Sequence, residues 1–427
     1  MPDTVHSELS AYRALLWIFL LAFAVRVAVR CYFGSADFWV NGYGFLFDLA
    51  QNIAAGKGIA YGDEPPTGSR VPLYPAFLAA MTFGHKVFLP VVLFQSLIGA
   101  ATVLCTALLA GEMFGSAAAV IAAAITAVYP YSVVHDTALQ ETSLFTLLTA
   151  IAVLLLLRVR RSGSSVTAAW AGLTLGAAVL TRVTLAPFAL LVPLWLAIPG
   201  ESRPGLWRQQ FWAAVICAGA VTLTLSPWLV RSYWLTGSPV LSTLIGYQLW
   251  VGNNPYTFSH YPYESIDRSV EEAALKAFHP HENAEIEALG GNEATIDQWF
   301  FRKGLEYIHE HPWLTFGNSF RKIAASFGWL PSPRKSFWPN LVHALAYGFV
   351  MVLGLWGMWV GRRHWREHIV FYVLFLSFVG VAALFYGHTS HRAYLDVYLI
   401  VFAAGVLDQF RSRCLSLTRK HQQKMSR

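Results

Sequence analysis

An all-α integral membrane protein, a bundle of many spans, is what this sequence predicts, and three observations predict it. Of 427 residues, 56% are hydrophobic and only 13% charged, about half the charged share of a soluble domain. The apolar residues fall in runs of about 20, the length a helix needs to cross a hydrocarbon core of about 30 Å. The basic residues gather in short connections between those runs and in the C-terminal tail, where the positive-inside rule puts them. The net charge of +7 is therefore read as topology and attraction to anionic headgroups, so membrane lipids are expected partners and nucleic acid is not. Cys31, Cys105, Cys217 and Cys414 are scattered, with neither a disulfide framework nor a zinc spacing.

Taken in order, the spans are expected at residues 13–32, 88–112, 117–131, 138–158, 165–180, 184–199, 211–232, 341–361, 367–386 and 392–410. The first run lacks a small-residue cleavage site and reads as a retained span. Residues 165–199 as one helix would be about 52 Å long, so a break is expected near Thr181–Arg182. An even number of spans separates the clusters around Arg158, Arg362 and Arg411, which places all three on the cytoplasmic side with both termini. The outer side of the cell (inner) membrane then receives residues 33–87, 131–137, 182–183, 233–340 and 387–391. Three parts follow: an N-terminal bundle over 1–232 containing the first outer loop (33–87), an outer segment over 233–340, and C-terminal hairpins with a basic tail over 341–427.

The first outer loop has its own pattern. Phe45, Leu49 and Ile53, with Leu46 and Ala50 beside them, form an apolar stripe from Tyr43 to Gly56, and Asp48, Gln51 and Asn52 face away, the mark of an amphipathic helix. Leu73 to Gly84 is apolar but too short to span, so an interfacial or re-entrant helix is expected. Residues 256–338 are mostly polar, with an amphipathic stretch from Ile296 to His309, and should lie as helices and loop on the outer face.

Polar residues otherwise foreign to such a chain collect in the outer connections: Asp37, Asp48 and Arg70 in the first, Asp136 at the surface of the second, Arg182 in the third, Arg231 after Trp228, and His388, His391 and Arg392 in the last. Glu141 stands just inside a span. A boundary arginine can snorkel to the headgroups or hold a phosphate, whereas a short carboxylate in an apolar helix cannot snorkel far and pairs or functions where it stands.

Residues 226–255 carry an unusual wording: Pro227-Trp228-x-x-Arg231-x-Tyr233, then Gly237, then Gly246-Tyr-x-Leu-Trp-x-Gly-Asn-Asn-Pro255. This resembles a passage of the polytopic glycosyltransferases of the ArnT-like and protein-mannosyltransferase-like family. The likeness extends to residues 49–58, to Pro72-Leu-Tyr-Pro75, to Leu139-Gln-Glu-Thr142, to Leu180-Thr-Arg182, to His311-Pro312 and to His391-Arg392-x-Tyr394. It implies a GT-C-type fold with interfacial helices in the first outer loop and an active site on the outer face. The implied reaction moves a hexosyl or pentosyl group from a polyprenyl-phosphate donor to a lipid, glycan or protein acceptor. The acidic position the family places before the first-loop helix falls near Asn41–Gly42, where no carboxylate stands.

In this chemistry a carboxylate takes the acceptor proton and arginine forks stabilise the leaving phosphate. Asp37, by loop position, and Glu141 are the catalytic candidates. Arg231, Arg392, Arg182 and Arg70 are the candidates for the donor phosphate, in that order. Tyr74, Tyr247, Asn253 and Asn254 are the substrate-binding candidates. No cofactor is expected, and no ligand cluster calls for a metal. The competing readings are a transporter or flippase of a polyprenyl-linked lipid, or a catalytically silent relative; polar residues confined to one face, without repeat halves, favour the enzyme.

Overall fold

The computed structural model describes residues 2–39, 43–198, 207–277, 280–331 and 334–425, and among them the only regular elements are helices. They run α1 (Pro2–Phe33), α2 (Gly44–Ala54), α3 (Leu73–Thr82), α4 (Phe88–Phe114), α5 (Ser116–Val128), α6 (Pro130–Asp136), α7 (Thr142–Ser162), α8 (Ser165–Val179), α9 (Ala186–Ala197) and α10 (Trp207–Thr236). After these come α11 (Ile245–Gly252), α12 (Ile266–Ala277), α13 (Pro280–Ala288), α14 (Glu293–Glu310), α15 (Pro312–Ser326), α16 (Phe337–Gly361), α17 (Trp365–Leu384) and α18 (Ala393–Met425). Seven helices are long and apolar enough to span: the apolar part of α1, then α4, α7, α10, α16, α17 and much of α18. The protein is an all-α, multi-pass membrane protein.

Where the sequence gives short spans, the structure shows how they are accommodated. α5 and α6 are bent by 59° at Tyr129–Pro130, because Tyr129 is extended and Pro130 opens the next helix, the conformation a following proline imposes. α8 and α9, about 22 and 18 Å long at 1.5 Å per residue, are divided at Thr181–Arg182 as the length argument requires. α8 packs between α7 and α10. Its close approach to α10 rests on Gly172 and Gly176, where a Cβ would run into Cys217 O and the Thr224 side chain, the small-xxx-small device of helix pairs in lipid. α18 is buried along most of its apolar length and forms the pillar of the bundle, whereas α1 lies at its edge against α4 and α5.

Two polar residues differ from expectation, Asp136 and Asn52. Asp136 is not at the surface: the bend turns it inward, and Arg26 of α1, fully buried, donates to it from Nε at 2.8 Å. Asn52 does not face away either. It is buried in α2 and donates to Ala60 O (2.8 Å) and Gly62 O (2.7 Å), fastening the loop to the helix. Asp48 is exposed, as a solvated helix face should be.

Candidate active site

A cavity of about 390 Å³ lies where the loop before α3, the α8–α9 break, the start of α11 and the α17–α18 turn converge. Hydrogen bonds from backbone and side chains bring them together. Leu73 N donates to Leu180 O at 3.0 Å, which ties the start of α3 to the break between α8 and α9. Ser242 Oγ donates to Ser69 O at 2.6 Å, and Glu293 accepts from Gly68 N (2.8 Å) and Thr243 Oγ1 (2.9 Å). The first outer loop is thus held between the bundle and the outer segment, with Arg70 and Tyr74 turned onto the cavity.

In its lining Glu141 stands at the N-terminus of α7, where a carboxylate suits the helix dipole. Arg182 donates to Glu141 Oε1 from Nη2 (2.7 Å) and Nε (3.0 Å), and from Nη2 to Thr142 Oγ1 (3.2 Å); its guanidinium lies 5.0 Å from the Phe145 ring centre. The pair is not sealed, its side chains being 11% and 17% exposed. Arg182 Nη1 and Arg70 Nε are buried N–H donors without a partner among the described residues, and Arg70 stacks 4.8 Å from the Phe45 ring centre. Burial, and then the Glu141 charge, raise the pKa of the neighbouring Tyr43 phenol, so it stays a neutral donor. Much of the remaining lining is apolar, built by Val183, Ala186 and Pro187 together with Phe378, Val381 and Phe385 of the α17 end.

Of the residues expected from sequence, Glu141, Arg182, Arg70 and Tyr74 meet in this cavity, and the others do not line it. Arg231 donates to Thr67 O (3.0 Å) and Ile59 O (3.5 Å) and lies 4.7 Å from the Trp228 ring centre; it fastens the first loop. Arg392, fully buried, pairs with Asp396 one turn along α18, faces Tyr347 at 3.3 Å, and donates to His343 Nε2 at 3.4 Å. Asp37 sits on an exposed turn after α1, within the field of Arg30. The acidic-position candidates Asn41 and Gly42 lie outside the described residues.

Tyr247 packs edge-on against Phe300. Asn253 and Asn254 are buried and spend their amides on the backbone, Asn253 on Leu249 O and Leu384 O, Asn254 on Trp250 O and Val251 O. Their neighbour is Lys322 of α15, fully buried, whose ammonium reaches Gly252 O, Asn253 Oδ1, Leu384 O and Phe385 O within 3.1–3.3 Å. A Cβ on Gly252 would fall on Phe385 O. The Gly-Asn-Asn segment is therefore a joint that seats the end of α17, and with it the cavity wall, against the outer segment.

His391 and Tyr386 also line the cavity. In the sequence His391 stands in the last outer turn and in the His391-Arg392-x-Tyr394 stretch of the resemblance, with no role attached, and no local spacing links it to Glu141 or Arg182. Among the described residues no three His, Cys, Asp or Glu side chains are placed to hold a metal ion.

Residues 64–230 match the family model of dolichyl-phosphate-mannose-protein mannosyltransferase. Nearly all of the chain superposes on the archaeal oligosaccharyltransferase AglB from Archaeoglobus fulgidus, solved with an inhibitory peptide and a dolichol-phosphate, with a TM-score of 0.53 at 14% identity. That superposition covers 96% of this chain and 52% of the other. The chain has the GT-C fold of the polytopic glycosyltransferases. An Archaeoglobus fulgidus oligosaccharyltransferase in the apo form gives a TM-score of 0.48 at 12% identity, over the same 96% and 52%, and adds no weight. No curated protein matches the sequence. This GT-C chain spans about half the length of the solved structures it matches. The family segment contains Arg70, Tyr74, Glu141 and Arg182, the residues that meet in the cavity, and ends before Arg231.

Proposed function

We propose that this GT-C protein is a membrane glycosyltransferase that moves a hexosyl or pentosyl group from a polyprenyl-phosphate donor to a lipid, glycan or protein acceptor at the outer face. The observation that carries the reading is the cavity itself, whose lining combines two arginines with unspent donors and a largely apolar wall. A polyprenyl phosphate has both parts: a phosphate for the arginine forks and a chain for the wall between α9 and α17. Glu141 fixes Arg182 through two hydrogen bonds to one oxygen, so the fork is oriented before the donor arrives, and preorganised charge is what stabilises a leaving phosphate. Asp37, exposed and away from the lining, has no part in this scheme. The outward orientation is supported by the opposite end of the bundle, where Glu112 pairs with Arg158 (2.7 Å) and Arg161 (3.2 Å) in a basic cluster, as cytoplasmic ends are.

The test is binding of undecaprenyl phosphate to the purified protein in detergent. Arg182→Lys and Arg70→Lys keep charge but lose the fork. Each should weaken binding roughly 10–150-fold, the equivalent of about 1.5–3 kcal/mol for a charge-assisted hydrogen bond. Asp37→Asn should bind as the unmodified protein does. Unchanged affinity in both arginine variants would overturn the phosphate assignment.

A further inference from the structure

We propose that His391 is the catalytic base, the neutral imidazole that takes the proton of the acceptor hydroxyl during transfer. The proposal rests on the donor reading above and supplies the group that reading lacks. Glu141 is the carboxylate among the described lining residues, and it is committed: Arg182 donates to it twice. A proton placed there would dissolve the pair that holds the phosphate fork. Asp37 and Asp48 are exposed and off the lining, and Asp136 is buried against Arg26.

His391 is free for the task. It lines the cavity from the turn that opens α18. Tyr386 and His388 flank its ring at 5.6 and 5.7 Å between centres, and among the described residues no group hydrogen-bonds either ring nitrogen. Its backbone is fixed on both sides. His391 N donates to His388 O at 2.9 Å, and the next residue, Arg392, is locked into the bundle by Asp396 and the Tyr347 ring. A base must be held in place without being spent on another partner, and His391 meets both conditions.

The step balances without a further reagent. The acceptor oxygen forms a bond to the anomeric carbon as the bond from that carbon to the phosphate oxygen breaks. The electron pair leaves with the polyprenyl phosphate, held by Arg182 and Arg70. The hydroxyl proton goes to an imidazole nitrogen of His391, and from there to water or to the released phosphate monoester.

The experiment compares His391→Gln and His391→Ala with the unmodified protein. Three quantities are read: undecaprenyl phosphate affinity, melting temperature, and sugar released or transferred from a panel of synthetic polyprenyl-phosphate hexoses and pentoses, with water or simple sugars as acceptor. Transfer by both variants should fall about 100- to 10,000-fold in kcat, with phosphate affinity and melting temperature unchanged. Added imidazole should restore part of the activity of His391→Ala and none to Arg182→Ala. Normal kcat in His391→Gln would overturn the proposal, as would activity lost together with phosphate binding and not rescued by imidazole. If the unmodified protein binds undecaprenyl phosphate yet releases sugar from no donor, transfer and the base both fall while the phosphate site stands. If it does not bind, the donor reading itself falls.

Discussion

Two arginines of this protein each face a carboxylate at the end of the bundle that holds the cavity, and their surroundings give them opposite uses. Arg392 and Asp396 are both wholly buried, with Tyr347 over the guanidinium and the Tyr129 hydroxyl donating to Asp396 at 3.0 Å. Arg182 and Glu141 are 11% and 17% exposed, at the edge of a cavity, and one Arg182 nitrogen is unspent. A sealed pair works as a bolt, because removing one partner strands a charge away from water. An open pair is a preset fork that a ligand phosphate can join. The bolt also serves the fork's cavity, since it holds the turn that carries His391.

The largest expected effect separates the two directly. Arg392→Ala should cost about 3–5 kcal/mol of stability, the usual loss when a buried pair is broken, and be seen as low folded yield and a lowered melting temperature. Arg182→Ala should leave melting far less changed while undecaprenyl phosphate binding is lost. Equal loss of stability in both would erase the distinction. Lys322→Met comes next. It takes the Lys322 donor from the carbonyls of Gly252 and Phe385, while Leu384 O keeps Asn253, a cost of about 1–3 kcal/mol for a buried group left unpaired. Because the joint seats Phe385, it should weaken phosphate binding as well as lower melting; normal binding would detach the joint from the cavity.

The smallest effect is a pH dependence of the last outer turn. Burial, with Lys335 adding to it, pushes the His388 pKa down to about 4, against about 6.5 in an unfolded chain. A lowered folded pKa contributes stability that is fully present above about 6.5 and is lost as pH falls through about 4. The melting temperature of the unmodified protein should therefore drop across that window, and His388→Gln should show a shallower drop. Parallel curves would remove His388 as the cause.

Much of the fold could be read from local pattern. The stripe Phe45, Leu49, Ile53 marks α2, the length of residues 165–199 calls for the break at Thr181–Arg182, and polar residues of separate connections do meet at one cavity. The Arg392–Asp396 bolt was also legible, as an arginine and an aspartate one helical turn apart, though the boundary position of Arg392 drew it toward the phosphate. Asn253 and Asn254 belong to an unusual motif whose amides are bonded to backbone carbonyls, so such a motif marks a tight joint as readily as a binding site.

By itself the sequence determined the solvent, the helical class and the long spans, because those follow from hydrophobicity and period along the chain; of the ten spans it implied, seven described helices are long and apolar enough, or eight with the bent pair α5–α6. Only the tertiary structure decided which charge is spent on which partner. Glu141 and Arg182 pair across 41 residues, Arg231 is consumed by carbonyls of the first loop, and His391 arrives beside the cavity from the far end of the chain. The energy of a charge is set by its neighbours in space and by their exclusion of water, and no spacing in the sequence records either.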